Sequence, residues 1–432
     1  MKKVYYQLKM YQKSPLRIGS GENEITDSDL MIDGKGCPFI PGSSVAGVLR
    51  NLCMNTIPTL SEEDVNKMFG DISEDNISES HVLISDAAGP GTASASDYKI
   101  TVRNGIRLDE WGMTVQGNKY DFQVTETEMP YYSVLEWTGD DEDYQKEIAD
   151  GLDPLMKNLV SDGISFGART TRGYGNMTVT VKRIAYEFPE DIEKWLKFDP
   201  LDEDSFVNGT DITAESQKNA YTKICADIKI KGSFSVRVNT AQAEVFSDGN
   251  VPDSVPLSNL EEKPVIPGTS WAGTFRHHMQ ALLRQLSMDS TEKNRAVEIN
   301  RLFGMEEKEG EHIRSSIRFG ETVISGGTPY SLTRNAVDRF TQAPRNTALF
   351  TSRLWQGGHG KLEIVIDRNK WNKFQIQLLA VSLIDLELGL LSFGGASGTG
   401  RGRCSVTHLT VDGKDMTRQI KENNSHFLEE FL

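Results

Sequence analysis

Cysteines and long apolar runs are both scarce in this 432-residue chain. Its four cysteines, Cys37, Cys53, Cys225 and Cys404, lie far apart, and no two have the spacing of metal ligands. We therefore interpret them as buried thiols in a reducing compartment rather than as a disulfide framework or a zinc site. No apolar run approaches the ~20 residues that span a bilayer, and no apolar export signal follows the first lysines. We expect a cytoplasmic protein with no membrane partner.

Positive charge is in short supply as well. The chain has 47 Lys and Arg against 62 Asp and Glu, which gives a net charge of −15. This balance argues against a protein that coats bare nucleic acid through bulk electrostatics. It does not exclude RNA binding, because the acids cluster in the stretch 187–215, where only Lys194 and Lys197 oppose them. Arginines elsewhere can still gather on one face.

The chain is an internal duplication, detected as ordered matches at a nearly constant offset. The Ile-Pro-Gly-[Ser/Thr]-Ser segments give 268 − 42 = 226, and the glycine-rich segments give 393 − 166 = 227. The matching segments are 37–47 with 263–273, 68–70 with 302–304, and 166–176 with 393–403. We expect a first domain at 1–186, an acidic linker at 187–222 and a second domain at 223–432.

Each half has the same predicted order of elements: strand, helix, strands, helix, strand. This order predicts an α+β fold of two tandem RRM-like, that is ferredoxin-like, domains. Ser44 and Ser270 are expected to be helix N-caps. Period-2 and helical patterns predict these buried residues: Val4, Tyr6, Leu8, Met10, Ile148, Leu152, Leu155 and Leu159, and in the second half Ala226, Ile228, Ile230, Trp371, Phe374, Leu378 and Ile384. The closing strands are expected at 177–181 and 404–411.

Both halves end in a glycine-rich loop interleaved with arginines. Glycines permit positive φ and let the backbone approach a phosphate, and Arg169, Arg172, Arg401 and Arg403 would add charge-assisted hydrogen bonds. These loops follow a predicted helix and precede a strand, whereas dinucleotide and P-loop glycines follow a strand and open a helix. No nucleotide cofactor is therefore expected. The alternative is a glycine-rich hairpin with solvated arginines.

Two further elements predict contacts with RNA. The Ile-Pro-Gly turns place hydroxyls at a helix start, where anions bind, and each helix then carries an arginine. The middle of each half combines arginines with aromatic residues, which suits an RNA strand. The alternatives are a plain capped helix and a solvated β-ribbon. The candidates from these elements are Ser43, Ser44, Arg50, Arg103, Arg107, Thr269, Ser270, Arg276, Arg334 and Arg339.

A pair of aspartates occupies matching positions in the loop after the first strand. Asp27 and Asp253 precede the glycine of the turn by 42 − 27 = 15 and 268 − 253 = 15 residues, and each is followed by serine. Loop aspartates usually cap turns, and Asp29 and Asp33 are nearby competitors. A carboxylate beside RNA would also be able to orient or deprotonate a ribose 2′-OH, or to hold a divalent metal.

In their order and repetition, these motifs resemble the RAMP superfamily of CRISPR-associated proteins. The resemblance rests on four motifs: the Ile-Pro-Gly-Ser-Ser turn with its helix arginine, the Met/Leu-Phe-Gly tripeptides at 68–70 and 302–304, the stretch from Arg334 to Arg339, and the terminal Phe-Gly-Gly-x-x-x-x-Gly-x-Gly loop. It is strongest for type III backbone subunits in which two such domains are fused. It implies partners of three kinds: a guide RNA (crRNA), a target RNA and other CRISPR effector subunits.

The resemblance also implies an activity. Thumb-like β-hairpins, expected within 79–130 and 311–362, would interrupt base pairing, and an aspartate would cut the target RNA at each interruption in a reaction that needs a divalent metal such as Mg²⁺. That aspartate falls on Asp27 and Asp253. The first copy departs from the pattern at Ala168 and in the stretch from Arg103 to Asp109. Two alternatives remain: a scaffold that binds RNA without cutting it, and a guide-processing endoribonuclease.

Overall fold

The structure is a computed structural model, and the chain forms two compact units. One unit contains 1–170 and 174–219, and the other contains 171–173 and 220–432. Each unit mixes helices with mostly antiparallel sheets, as expected for an α+β chain. The residues that the structure describes are 1–21, 26–72, 77–108, 114–126, 129–214, 221–239, 252–286, 292–306, 312–368, 370–422, 427 and 431.

The first unit has ten strands and five α-helices among its described residues. Its strands are β1 Lys2–Gln12, β2 Asp71–Ile72, β3 Ile77–Ser78, β4 Val82–Ile84, β5 Ile100–Leu108, β6 Thr114–Thr125, β7 Pro130–Gly139, β8 Ile164–Ser165, β9 Asn176–Glu187 and β10 Thr210–Asp211. Its helices are α1 Gly42–Thr56, α2 Glu62–Phe69, α3 Asp141–Asp143, α4 Asp153–Asp162 and α5 Ile192–Trp195, and a π-helical segment, Tyr144–Leu152, joins α3 to α4.

The central sheet of the first unit has the order β10-β9-β1-β7-β4. β1 lies at its centre and pairs antiparallel with β7 and β9. Side chains alternate across a strand, and Val4, Tyr6, Leu8 and Met10 are fully buried, as the sequence predicts. The helical residues predicted to be buried against this sheet, Ile148, Leu152, Leu155 and Leu159, are also buried. β5 and β6 form a separate antiparallel hairpin within the range 79–130.

The segment 187–222 differs from its expectation as a linker. Residues 187–214 belong to the first unit, where β10 pairs with β9, and residues 221 and 222 already begin β11 of the second unit. Phe206 is 1% exposed and packs in an aromatic cluster with Tyr5, Tyr186 and Phe198. The acidic composition concealed these aromatic residues, whose burial anchors the segment to the outer face of the sheet.

The second unit repeats the central part of this arrangement. Its strands are β11 Tyr221–Lys231, β12 Ser233–Phe234, β13 Arg237–Asn239, β14 Ser254–Pro256, β15 Val265–Ile266, β16 Met305–Glu306, β17 His312–Ile313, β18 Ile317–Phe319, β19 Thr322–Val323, β20 Thr328–Val337, β21 Pro344–Gln356, β22 His359–Asp367, β23 Arg403–Val411 and β24 Lys414–Asp415. Its helices are α6 Gly268–Leu286, α7 Glu292–Phe303, α8 Lys373–Leu388 and α9 Thr417–Lys421.

The main sheet of the second unit has the order β18-β22-β11-β23-β24. It therefore places its first strand, β11, between its third and fourth main strands, β22 and β23, just as β1 lies between β7 and β9. Ala226, Ile228 and Ile230 on β11 are buried as predicted. β20 and β21 form a long antiparallel hairpin within the range 311–362.

Helix α8 corrects one part of the predicted core. Leu378 and Ile384 are buried, but Phe374 is 43% exposed and Trp371 precedes the helix, whose N-cap is Asn372. The helix is buried over most of its circumference, from Gln375 to Leu386. A helix of that kind has a weak amphipathic pattern, so its exposed side was hard to assign from sequence.

Ser44 and Ser270, the expected N-caps, lie inside their helices instead of before them. Helix α1 begins at Gly42 after Pro41, with no side-chain cap from Ser44, and α6 begins at Gly268. The side chain of Asp86 accepts the N–H of Gly42 at 2.7 Å and so takes the place of a local cap. Among the described residues, no helix has the length and apolar character needed to cross a membrane.

Candidate functional site

The loop after β1 brings Asp27 to the β5–β6 hairpin. Its Oδ2 accepts the backbone N–H of Asp121 on β6 at 2.9 Å, and its own N–H donates to Oδ1 of Asp121 at 3.0 Å. Asp27 is exposed. The loop carboxylate is therefore fastened to the second strand of the hairpin while remaining open to solvent.

Asp253 makes the same connection in the second unit. Its Oδ2 accepts the backbone N–H of Thr351 on β21 at 2.8 Å, and its N–H donates to the carbonyl of Thr351 at 2.8 Å. Asp253 is exposed too. The two aspartates, paired in sequence by spacing alone, thus occupy the same structural position, and Asp121 corresponds to Thr351.

A cavity of about 480 Å³ opens beside Asp253. It brings Asp253 together with Arg334, another candidate from the sequence, and with the ring of Phe350, which is 52% exposed. Nε of Arg334 is buried and has no hydrogen-bond acceptor among the described residues. This part of the site combines a carboxylate, a guanidinium and an aromatic face, which suits a nucleotide unit of RNA.

The competing aspartates of the first loop serve local turns. Oδ1 of Asp29 accepts the backbone N–H of Thr26 at 2.9 Å. Oδ1 of Asp33 accepts the N–H groups of Cys37 and Lys35, which lower the pKa of Asp33 below its ordinary value of 3.8. Both carboxylates therefore accept N–H groups within the loop, whereas Asp27 is bonded to the hairpin.

One glycine near the end of each glycine-rich loop is required by close packing. A Cβ on Gly175 would lie 1.9 Å from the carbonyl oxygen of Phe166, and one on Gly402 would lie 1.8 Å from that of Phe393. The backbone N–H groups of these glycines donate inward, to Pro15 and Ser233. This corrects the expectation that the loops expose these amides to a phosphate, because the protein already uses them.

Further hydrogen bonds tie each loop to the segment that follows the first strand. The N–H of Ala168 donates to the carbonyl of Arg17 at 2.9 Å, and the N–H of Gly395 donates to that of Ser235 at 2.8 Å. Arg17 and Ser235 are therefore structurally equivalent. Arg169 and Ala396 follow next in the two loops, with φ of 62° and 61°.

Arg169 lies over aromatic rings of the hairpin. Its Cζ is 4.6 Å from the ring centroid of Tyr120 and 4.7 Å from that of Phe122. Cζ of Arg17, which the sequence analysis missed, is 4.6 Å from Phe122. No sequence pattern singles out Arg17, because it reaches this place only through the docking of the loop.

The other loop arginines have varied surroundings. Arg172, in the second unit, donates to the carbonyl of Phe303 at 3.4 Å. Arg401 is only 7% exposed, whereas Arg403 is exposed on β23. Burial makes Arg401 a poor surface ligand, so Arg403 is the better RNA candidate of the two.

The helix arginines make the same contact in both units. Arg50 donates to the side chain of Asn66 at 2.6 Å, and Arg276 donates to that of Asn300 at 2.9 Å. Each therefore joins the first helix of its unit to the second. Ser43 is exposed in the first turn of α1, and Ser44, Thr269 and Ser270 are half-buried in the first turns of their helices. The carboxylate of Asp86 at the start of α1 disfavours an anion there.

Arg103 is buried in the protein instead of lying on its surface. It is 2% exposed and forms an ion pair with Glu126 at 2.7 Å. We therefore leave Arg103 out of the candidate RNA surface. The side chain of Arg107 lies outside the described residues. Arg339, in contrast, is exposed at the turn of the β20–β21 hairpin beside Phe340, which is 93% exposed.

A possible metal-ligand group lies away from the two aspartates. Among the described residues, the one group of three possible ligand side chains within mutual reach is His81, Asp143 and Glu147. Glu147 is buried there and accepts from Trp137 Nε1 at 2.6 Å and contacts His81 Nδ1 at 2.9 Å. These bonds account for its burial. Neither Asp27 nor Asp253 belongs to such a group among the described residues.

Comparison with known proteins agrees with the duplication. The family model described as RAMPs, the RAMP superfamily, matches residues 9–178 and 214–405. No relative among curated proteins matches the chain. One similar solved structure is a chain from the cryo-EM structure of the type III-B Cmr-beta bound to cognate target RNA, at 18% identity and a TM-score of 0.32. The likeness covers 42% of this chain and 61% of that one. The two family matches together span most of the sequence and confirm the resemblance, so the chain belongs to the RAMP superfamily, with one match in each half.

Proposed function

We propose that this protein is a guide-RNA-binding backbone subunit of a type III CRISPR effector complex and cuts bound target RNA at two positions. In this proposal each unit is an RRM-like domain with an inserted thumb, formed by the β5–β6 and β20–β21 hairpins. The observation that carries the proposal is the repeated contact of Asp27 and Asp253 with the second strand of the hairpin. Its partners are the crRNA, the target RNA and neighbouring effector subunits in the cytoplasm.

The exposed hairpin residues provide the RNA contacts. Phe340 at the turn offers a ring on which a base stacks, and Arg339 beside it offers a cation for phosphate. A strand of RNA that follows the hairpin from this turn towards its base would pass Phe350 and Arg334 and reach Asp253. The same path in the first unit leads along β6 to Asp27.

The proposed chemistry begins with the ribose 2′-OH next to the aspartate. The carboxylate accepts the proton of that hydroxyl, and the 2′ oxygen attacks the adjacent phosphorus. The bond to the 5′ oxygen breaks, that oxygen takes up a proton from water, and the carboxylate returns its proton to solvent, which leaves a 2′,3′-cyclic phosphate and a 5′-hydroxyl. A divalent ion, proposed as Mg²⁺, would supply charge stabilisation at the phosphate when bound. The aspartate's bond to the hairpin strand orients its carboxylate.

The test uses the purified complex with Asp27→Asn, Asp253→Asn and both changes together. Asparagine keeps an oxygen that accepts the strand N–H but loses the basic carboxylate. We expect each single variant to lose one cut and the double variant to lose both, with cleavage at each lost site slowed about 100-fold or more. Cut sites would be mapped on labelled target RNA, with and without EDTA. Two cuts that persist in the double variant would refute the proposal.

A non-cleaving scaffold is the second candidate. It is favoured by the same hydrogen bonds, because a carboxylate that fastens a loop to a strand has a structural reason to be present. In that case the wild-type complex binds guide and target RNA but leaves the target whole. The two candidates therefore separate on the wild-type protein before any substitution is made.

A further inference from the structure

An arginine pair stands where three segments of the first unit meet. Arg17 comes from the segment after β1, Arg169 from the glycine-rich loop, and Phe122 from β6. Both guanidinium carbons lie within 4.7 Å of the Phe122 ring centroid, and Tyr174 packs edge-on against the same ring. The aromatic surface thus holds two like charges next to each other.

The described residues place no carboxylate against this pair. Among the described residues neither guanidinium forms an ion pair with a carboxylate, and Nε of Arg17 is buried without an acceptor. Burial, and after it the nearby Arg169 guanidinium, lower the pKa of Arg17 below its ordinary value. Two adjacent cations with unused donors are unfavourable unless an anion joins them.

The fold does not need these arginines. In the second unit the equivalent positions hold Ser235 and Ala396, and the loop makes the same backbone bonds there. Ala396 even has the positive φ of Arg169, 61° against 62°. Since the same junction forms without either arginine, their role in the first unit lies in what they bind.

We propose that Arg17 and Arg169 together bind one phosphodiester group of an RNA strand, at a site that the first unit has and the second lacks. Guanidinium forks match the oxygens of a phosphate, and the rings of Tyr120 and Phe122 fix the planes of the two forks. The RNA as the source of the phosphate rests on the proposed function. The binding of phosphate itself rests on the arginine pair alone.

The first experiment measures RNA binding by the full chain. Fluorescence anisotropy with a labelled guide-length RNA would compare Arg17→Gln/Arg169→Gln with the matched control Arg301→Gln/Arg418→Gln, which removes two exposed arginines from the second unit. We expect about tenfold weaker binding for the first variant, a salt slope smaller by about one, and no more than about a twofold change for the control. Equal affinities of the two variants overturn the site.

The second experiment needs no substitution. Phenylglyoxal modifies accessible arginines, and mass spectrometry of the wild-type chain would report Arg17 and Arg169 with and without inorganic phosphate. Phosphate is expected to protect both, and not Arg301. Equal modification overturns the site even if the wild-type chain binds RNA, in which case the proposed function stands. Protection by phosphate without any RNA binding supports the anion site and overturns its assignment to RNA.

Discussion

The two units share a backbone frame but differ in the charges placed on it. In both, a loop aspartate is bonded to the hairpin and a helix arginine to an asparagine. Yet Arg17, Arg169 and Asp33 of the first unit correspond to Ser235, Ala396 and Asn259 of the second. The two units thus share the contacts of these aspartates and helix arginines and differ in charge at the other three positions. The shared positions include the aspartates of the proposed cleavage, and the differing positions include the arginine pair that we propose as a phosphate site.

A buried ion pair gives the largest expected difference in stability. Arg103 pairs across the hairpin with Phe122, and its counterpart Leu332 pairs with Ser352, so the second unit has an apolar residue where the first has a buried cation. Arg103→Leu would leave the carboxylate of Glu126, 5% exposed, without its cation. We expect a loss of about 3 kcal/mol in the free energy of unfolding, measured by urea denaturation.

The control for that change replaces both partners. Arg103→Leu/Glu126→Leu removes the stranded carboxylate and should regain most of the lost stability. RNA affinity of the single variant should change by no more than about twofold, since the guanidinium is buried. A large loss of RNA affinity in a stable Arg103→Leu protein would show that Arg103 contributes to RNA binding.

Alanine substitutions at matching loop glycines test whether the two loops are packed equally tightly. Gly175→Ala and Gly402→Ala each place a methyl group against a carbonyl oxygen at a φ of +69° and +71°. We expect each to cost about 2 kcal/mol or more, by thermal unfolding. Gly398→Ala is the control, because a Cβ there meets nothing within 4 Å. A cost in only one copy would break the equivalence of the loops.

The smallest expected effect concerns acid stability. Asp33 in the first unit and Asn259 in the second accept N–H groups two and four residues ahead, so one turn is ionisable and the other is not. Because the folded-state pKa of Asp33 is lowered from 3.8, its stabilisation is present above that value and lost as the pH falls below it. Asp33→Asn should flatten the decline of the melting temperature between about pH 4 and pH 2. An unchanged decline would show that other carboxylates dominate.

Site residues that belong to repeated motifs could be predicted from sequence, and those whose role depends on tertiary contacts could not. Asp27 and Asp253 were found by spacing, and Arg334 by the arginine-rich stretch that carries it. The sequence did not reveal Arg17. It also predicted Arg103 to contact RNA, whereas Arg103 is buried and paired with Glu126, because burial and ion pairing depend on residues that are distant in sequence. The N-cap expectation for Ser44 failed for the same reason, since Asp86 reaches the helix from another segment.

By itself the sequence determined the duplication, the alternating strands around Val4 and Ile228, the extent of the second closing strand and the family, whereas the first closing strand, expected at 177–181, extends over Asn176–Glu187. These are local periodicities or repeated motifs, and they survive without knowledge of neighbours. Only the tertiary structure decided that the acidic segment after 187 packs on the first sheet, that the loop glycines serve close packing, and that Arg17 meets Arg169. Each of these depends on contacts between residues that are distant in sequence, and a local sequence pattern does not specify such contacts.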